Sequence, residues 1–351
     1  MSAYAIYRLP HEDHATLIRQ IDGEPLELTS LTELNGKQGF VVAPFEVTAN
    51  QPILLIRGES RRVECGVRNE DCSRAECNLT PPSSLLPPRN YAIDFANYHA
   101  QLECGQFRKI VLARCADEKM AEKVEPLELF YRACALYPRM FIALVETEKS
   151  GCWLTATPEI LLDGQGQDWR TIALAGTMKL EGEQLNGEGE TLRWSTKNIQ
   201  EQRIVATYIT ECLEQFTGDF REEGPRTVRA ANLVHLRSDF TFKLEDNNHI
   251  GDLLQTLHPT PAVCGITKRE AFQFIVRNEH TPRRYYSGFM GPLQMESTHL
   301  YVSLRCMNIE GDTCHLYAGG GLLKDSTEEQ EWAETEAKLE TMRRCIAIKR
   351  M

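Results

Sequence analysis

No run in this 351-residue chain approaches the roughly 18 consecutive apolar residues that a membrane-crossing helix requires. The opening residues, Met1 to Arg8, lack the apolar core of a secretory leader. Both absences set the expectation of a cytoplasmic protein with no membrane partner. Basic residues are nowhere clustered among aromatics, and the formal net charge is −11. Contact with nucleic-acid phosphates needs clustered Lys and Arg, so no nucleic-acid partner is expected. An anionic small substrate stays compatible, because a few inward-facing cations and a metal ion can reverse the local field. The 12 cysteines include no C-x2-C pair. Their tightest group, Cys65, Cys72 and Cys77, fits no zinc-ligand spacing, and the set reads as reduced thiols, many of them buried. Internal repeats and low-complexity tracts are also missing. What remains is a globular composition long enough for a large core or two domains.

Strand and helix patterns mix along the whole chain. Val41–Ala43 and Ile53–Ile56 are short apolar runs bounded by Pro, Asn and Gly. Residues 1–80 therefore read as an N-terminal strand-rich layer packed on the same unit as the larger part, residues 90–351. Between them, Thr80 to Arg89 is a proline-stiffened linker. A helix is expected near Tyr91–Cys104. Phe107–Arg114 alternates as a strand with Lys109, Val111 and Ala113 on one face. A lysine there is either a snorkelling edge residue or a cation held inside. A helix over 126–137 and a strand over Met140–Glu146 follow. Cys152–Leu162 reads as strand, turn at Thr157-Pro158, and strand. Glu159 is then either an exposed turn carboxylate or one aimed into a pocket.

Thr196–Phe216 has the stripe of a buried helix: Val205, Tyr208, Ile209, Cys212, Leu213 and Phe216. One turn earlier, Glu201 marks either the solvated end of that stripe or a ligand beneath the helix. A helix near Lys268–Arg277 and strands near Gly288–Met290 and His299–Met307 lead to a glycine run, Ala318 to Gly321, read as a loop with open backbone N–H groups. The last long helix, Ser326 to about Arg344, opens with Ser326 and Glu329 at capping-box spacing. Glu331, Glu334 and Lys338 share one of its faces. They are either a solvated charged face or a set that holds a metal ion with an anionic ligand. The mixture as a whole favours an α+β fold over a regular parallel sheet.

Six motifs in this order resemble the chorismate-utilising enzymes: isochorismate synthase, anthranilate synthase component I, aminodeoxychorismate synthase and salicylate synthase. They are Phe107–Arg114, Thr155–Leu162, Leu174–Thr177, Leu257–Gly265, Val302–Cys306 and Ala318–Leu339. The resemblance covers roughly residues 90 to 345 and implies one α+β unit of two stacked antiparallel sheets with flanking helices and a central cleft. It also implies a branch. Lys109 stands where ammonia-adding members carry glutamine, the Leu257-His258-Pro259-Thr260-Pro261 form is that of isochorismate synthases, and Ala262 replaces the threonine of anthranilate- and salicylate-forming members. The implied activity is an isomerase that adds water at C2 of chorismate and expels the C4 hydroxyl, supplying menaquinone or siderophore synthesis. A salicylate synthase with added lyase activity and a non-catalytic chorismate-binding protein are the alternative readings.

The resemblance assigns Lys109 as general base and Glu159 as general acid, two groups that must hold opposite protonation states. It assigns Mg²⁺ to Glu201 and Glu334, with Glu331 in or just outside the first coordination sphere. Gly176, Thr177, His235 and Ala262 would line the ring. Arg305 and Lys338 would hold the enolpyruvyl carboxylate, with Gly319 giving a backbone contact and Tyr286 a wall. No glutaminase subunit is expected, and the chain would be a monomer or weak homodimer. Asn198 and Gln202 depart from the family pattern, where an acidic residue and a histidine are usual, and they bring metal affinity into question.

Overall fold

Several strands here are apolar on both faces: Phe40 to Ala43, Ile53 to Ile56 and Phe141 to Val145 are buried throughout. Such strands need a covering layer on each side. The computed structural model, which describes residues 3–65, 87–120, 123, 125–179, 193–230 and 233–346, supplies those layers. Cys72, Cys77 and most of the Thr80–Arg89 linker lie outside the described residues.

Among the described residues, eighteen strands pair antiparallel into two nine-stranded sheets. The first sheet runs Gly265–Ile266, Lys109–Lys119, Thr313–Leu322, Cys306–Glu310, Gly151–Thr157, Phe141–Thr147, Tyr4–Arg8, His14–Arg19, Ser60–Glu64. The second runs Phe220–Ala230, Leu233–Lys243, Asp168–Lys179, Ile160–Gln165, Thr298–Val302, Phe289–Leu293, Gly39–Ala43, Ile53–Ile56, Leu26–Leu28. The N-terminal strands divide between the sheets and complete one end of each. This is the α+β architecture that the sequence led us to expect.

Between the sheets lies an aromatic core of Tyr7, Phe40, Phe141, Trp153, Tyr285 and Tyr301. Phe141 of the first sheet stacks on Tyr301 of the second, with ring centroids 4.3 Å apart. On the outer face of the second sheet, helix Thr196–Leu213 buries Val205, Ile209 and Leu213, the stripe predicted from spacing. Helices Pro126–Leu136 and Glu328–Ile346 cover the first sheet with Phe130, Leu339 and Met342. Helices Arg89–Glu103 and Lys268–Asn278 close its end around Ile110 and Leu112.

Two of the places where the chain crosses between the sheets lie side by side. One is Pro158-Glu159, between strand Gly151–Thr157 of the first sheet and Ile160–Gln165 of the second. The other is Ser303 to Arg305, between Thr298–Val302 and Cys306–Glu310. The expected single strand His299–Met307 is therefore broken in the middle. Arg305 adopts a left-handed φ of 43° there, which a continuing strand would not permit. The two crossings are tied together: Val302 N donates to Glu159 O at 3.0 Å, and Ala156 N to Arg305 O at 3.1 Å.

Two further expectations change. The glycine run is not a loop but the end of strand Thr313–Leu322, with Gly319, Gly320 and Gly321 paired to Ala113, Leu112 and Val111. Ser326 does not form the expected capping box. Its hydroxyl accepts from Leu323 N and donates to the buried Glu331 carboxylate, and the helix begins at Glu328. A buried carboxylate without a donor is costly, and that demand outweighs a helix cap.

Candidate active site

Strand Lys109–Lys119 is buried on both faces over its first six residues, Lys109 included, which has no exposed surface. The ammonium lies 2.9 Å from Glu201 Oε1 on helix Thr196–Leu213. The inward reading of Lys109 therefore replaces the snorkelling one. Glu201 is likewise inside: its other oxygen accepts from Gly176 N at 3.2 Å. Burial pushes this carboxyl up, but the ammonium groups of Lys109 and Lys197 outweigh it and hold it below its ordinary value.

Gly176 sits at a β-bulge, where pairing with strand Leu233–Lys243 shifts register between Ala175 and Thr177. Its φ is 72°, and a Cβ there would meet Asn198 at 3.1 Å. Glycine is thus what lets the bulge turn its N–H towards Glu201. Gln202, on the next helix position, is spent on the same strand: it accepts from Ala175 N at 2.9 Å and donates to Ala173 O at 3.1 Å.

Glu159, on the first crossing, is 3% exposed and titrates at about 7. Desolvation raises it. Arg305, Lys109 and Lys338 pull against that, and Glu201 adds to it. The exposed-turn reading of Glu159 is overturned by its burial at the crossing between the sheets, while Pro158 beside it stays partly exposed. Arg305, on the second crossing, donates to His235 Nε2 at 2.9 Å. A guanidinium can only donate, so the histidine proton is assigned to Nδ1, which lies 3.2 Å from Gly176 O and 3.3 Å from Thr177 Oγ1. Burial and the charges of Arg305 and Lys338 hold His235 well below its ordinary pKa, so it is neutral.

The three glycines of the Thr313–Leu322 strand matter for the Cβ they lack. A Cβ on Gly319 would stand 2.7 Å from the Tyr286 hydroxyl, one on Gly320 2.8 Å from Glu331 Oε2, and one on Gly321 2.3 Å from Glu201 Oε1. Lys338 donates to Gly319 O at 2.8 Å and to Glu334 Oε1 at 2.7 Å. These groups border a narrow cleft. Its lining includes Glu159, Gly176, Thr177, Glu201, His235, Ala262, Tyr286, Arg305, Gly319 and Lys338. Lys109, Glu331 and Glu334 stand directly behind it.

Glu331 is fully buried, and its pKa is raised by desolvation and by Glu334. Its Oε2 has no hydrogen-bond partner among the described residues. The orphaned Oε2 of Glu331 and the two glycines that open space beside Glu331 and Glu201 suit a hard divalent cation, although the oxygens of Glu201, Glu331 and Glu334 are not gathered into one coordination sphere here. Lys197 was not nominated by the sequence, yet its ammonium donates to Glu331 Oε1. The signal was available: Lys197 lies four residues before Glu201, one turn away on the same helix face.

A family model described as chorismate binding enzyme matches residues 35–347. The chain belongs to that family. Isochorismate synthase MenF of Escherichia coli is 31% identical over 246 residues, covering 70% of this chain and 57% of that protein. Isochorismate synthase EntC of the same organism is 29% identical over 241 residues, covering 68% and 62%. In both sequence matches the chain spans less than two thirds of the relative's own length. The solved structure of MenF, the menaquinone-specific isochorismate synthase from E. coli, has the same fold, with a TM-score of 0.80 at 23% identity, covering 99% of this chain and 89% of that one. Anthranilate synthase component I from Streptococcus pneumoniae shares it at 0.69 and 15% identity, covering 97% and 90%.

Proposed function

We propose that this chain isomerises chorismate to isochorismate. The observation that carries the reading is the pairing of opposite groups in one cleft. Glu159 is a buried carboxyl that titrates at about 7 and can hold a proton, and Lys109 is a fully buried amine within its electrostatic reach. The reaction needs both. Lys109 acts in this step as the neutral amine, its ammonium proton having first left through the pair with Glu201, and water adds at C2 as its proton passes to Lys109 Nζ. The ring double bonds shift, and the C4 hydroxyl departs with the proton of Glu159, because hydroxide is a poor leaving group. Arg305 and Lys338 take the enolpyruvyl carboxylate, with Arg305 fixed by its bond to His235. Thr177, Gly176 and Ala262 border the ring, while Tyr286 and Gly319 shape the enolpyruvyl side.

Glu201, Glu331 and Glu334 are the residues that would hold Mg²⁺. When bound, the ion offsets the negative charge of the ring carboxylate within an acid-rich site. Chorismate is the substrate, and water-dependent chemistry needs no glutaminase subunit. The matched relatives include menaquinone-specific, 2,3-dihydroxybenzoate-specific and salicylate-biosynthesis isochorismate synthases, and the proposed reaction is common to them.

The test is incubation of purified protein with chorismate and Mg²⁺, followed by HPLC with and without added isochorismatase. A product consumed only when isochorismatase is present is the expected result. Salicylate formed without a helper would move the chain to the lyase branch, and untouched chorismate with retained binding would make it non-catalytic.

A further inference from the structure

We propose that Lys197 is a resident counter-ion of the carboxylate cluster and sets how tightly that cluster takes a divalent cation. The inference rests on reading Glu201, Glu331 and Glu334 as the metal cradle.

Each of those carboxylates has its own lysine. Glu201 pairs with Lys109 at 2.9 Å, Glu334 with Lys338 at 2.7 Å, and Glu331 with Lys197. The three lysines are not equivalent. Lys338 lines the cleft and is anchored on Gly319 O, and Lys109, fully buried behind the cleft, is the base of the proposed reaction. Lys197 does not line the cleft. It reaches Glu331 from helix Thr196–Leu213 with its side chain 21% exposed, against 0% for Glu331. It is also within Coulombic reach of Glu331, Glu334 and Glu201 together, the same three groups that a cation would use.

A divalent ion entering the cradle must therefore share Glu331 with an ammonium or displace it. Like charges a few ångströms apart in a dry site repel strongly, so displacement is the favoured course, and its cost is subtracted from metal affinity. Lys197 has an exit, because its partly exposed stem can swing to water, whereas Glu331 keeps its bond from Ser326 Oγ at 2.7 Å. In the absence of metal the same ammonium relieves the repulsion between Glu331 and Glu334.

The experiment is Mn²⁺ titration by electron paramagnetic resonance, with Mg²⁺ calorimetry beside it, on full-length protein without turnover. Lys197→Met and Lys197→Gln are expected to bind the ion about tenfold tighter or more than the parent, and Lys197→Arg to stay near the parent. The Met and Gln variants should also show a larger Mg²⁺-induced rise in Tm than the parent, from a lower starting Tm. Unchanged or weaker affinity in both neutral variants, with the parent binding Mn²⁺, would overturn the counter-ion role and leave the cradle intact. If neither parent nor variants take up Mn²⁺, with chorismate present or absent, the cradle reading itself fails and the inference with it.

Discussion

Glu159 joins the chemistry to stability. Folded, it titrates at about 7; its ordinary value is 4.5. Below the ordinary value both folded and unfolded states hold the proton, and the group costs nothing. As pH rises from there to about 7 the unfolded chain releases the proton while the folded chain keeps it, so stability falls, by on the order of 3 kcal/mol once complete. Glu159→Gln removes that loss. We expect the variant to be more stable than the parent at pH 8 and equal to it near pH 4, while turnover falls about 10²–10⁴-fold. Urea midpoints at the two pH values test this, and an equal difference at both would refute it. Activity of the parent should decline as pH rises past about 7, because the departing hydroxyl then lacks its proton. Lys109→Ala is expected to bind chorismate by calorimetry yet turn over no product. Near-normal turnover would remove Lys109 from the base role.

At the scale of single elements, the bulge and the glycine strand are the exposed points of the design. Gly176→Ala places a Cβ against Asn198 at a left-handed φ. The cost should be about 1–2 kcal/mol in the denaturant midpoint, with a larger loss of activity as the N–H to Glu201 is displaced. Ser326→Ala takes one donor from Glu331 and should cost about 1–3 kcal/mol, read the same way. Helix Thr196–Leu213 was legible because its stripe repeats at helical spacing, and strand Lys109–Lys119 because it alternates. The break at Ser303–Arg305 was not. The residues on either side of it are equally apolar, and nothing local marks where a strand leaves one sheet for another. The role of Gln202 was equally hidden, since its partners, Ala173 and Ala175, are remote in sequence.

For the molecule as a whole, the cleft exists only while the two sheets face each other. Lys109 and Gly319 come from one sheet, Gly176, Thr177 and His235 from the other, and Glu159 and Arg305 from the crossings between them. Phe141→Ala removes a ring stacked across that interface and should cost about 3–5 kcal/mol. Activity and tertiary signal should then be lost at the same denaturant concentration. Activity surviving beyond loss of the tertiary signal would contradict the shared interface. Chelation by EDTA is expected to abolish turnover and added Mg²⁺ to restore it, with Glu334→Gln only partly rescued by excess Mg²⁺.

The sequence by itself determined the helices and most strands, because periodicity is a local property that each segment carries alone. It also carried the ordered motifs that mark the family, since those residue types recur at short spacing. Tertiary structure decided which side of each open choice held. Lys109, Glu159, Glu201 and Glu331 could each have faced water as readily as a cleft, because the sign of a charge does not say what will cover it. Only the closing of two sheets around residues more than 200 positions apart buried them, paired Glu201 with Lys109 and Glu331 with Lys197, and left Glu159 able to keep a proton near neutral pH.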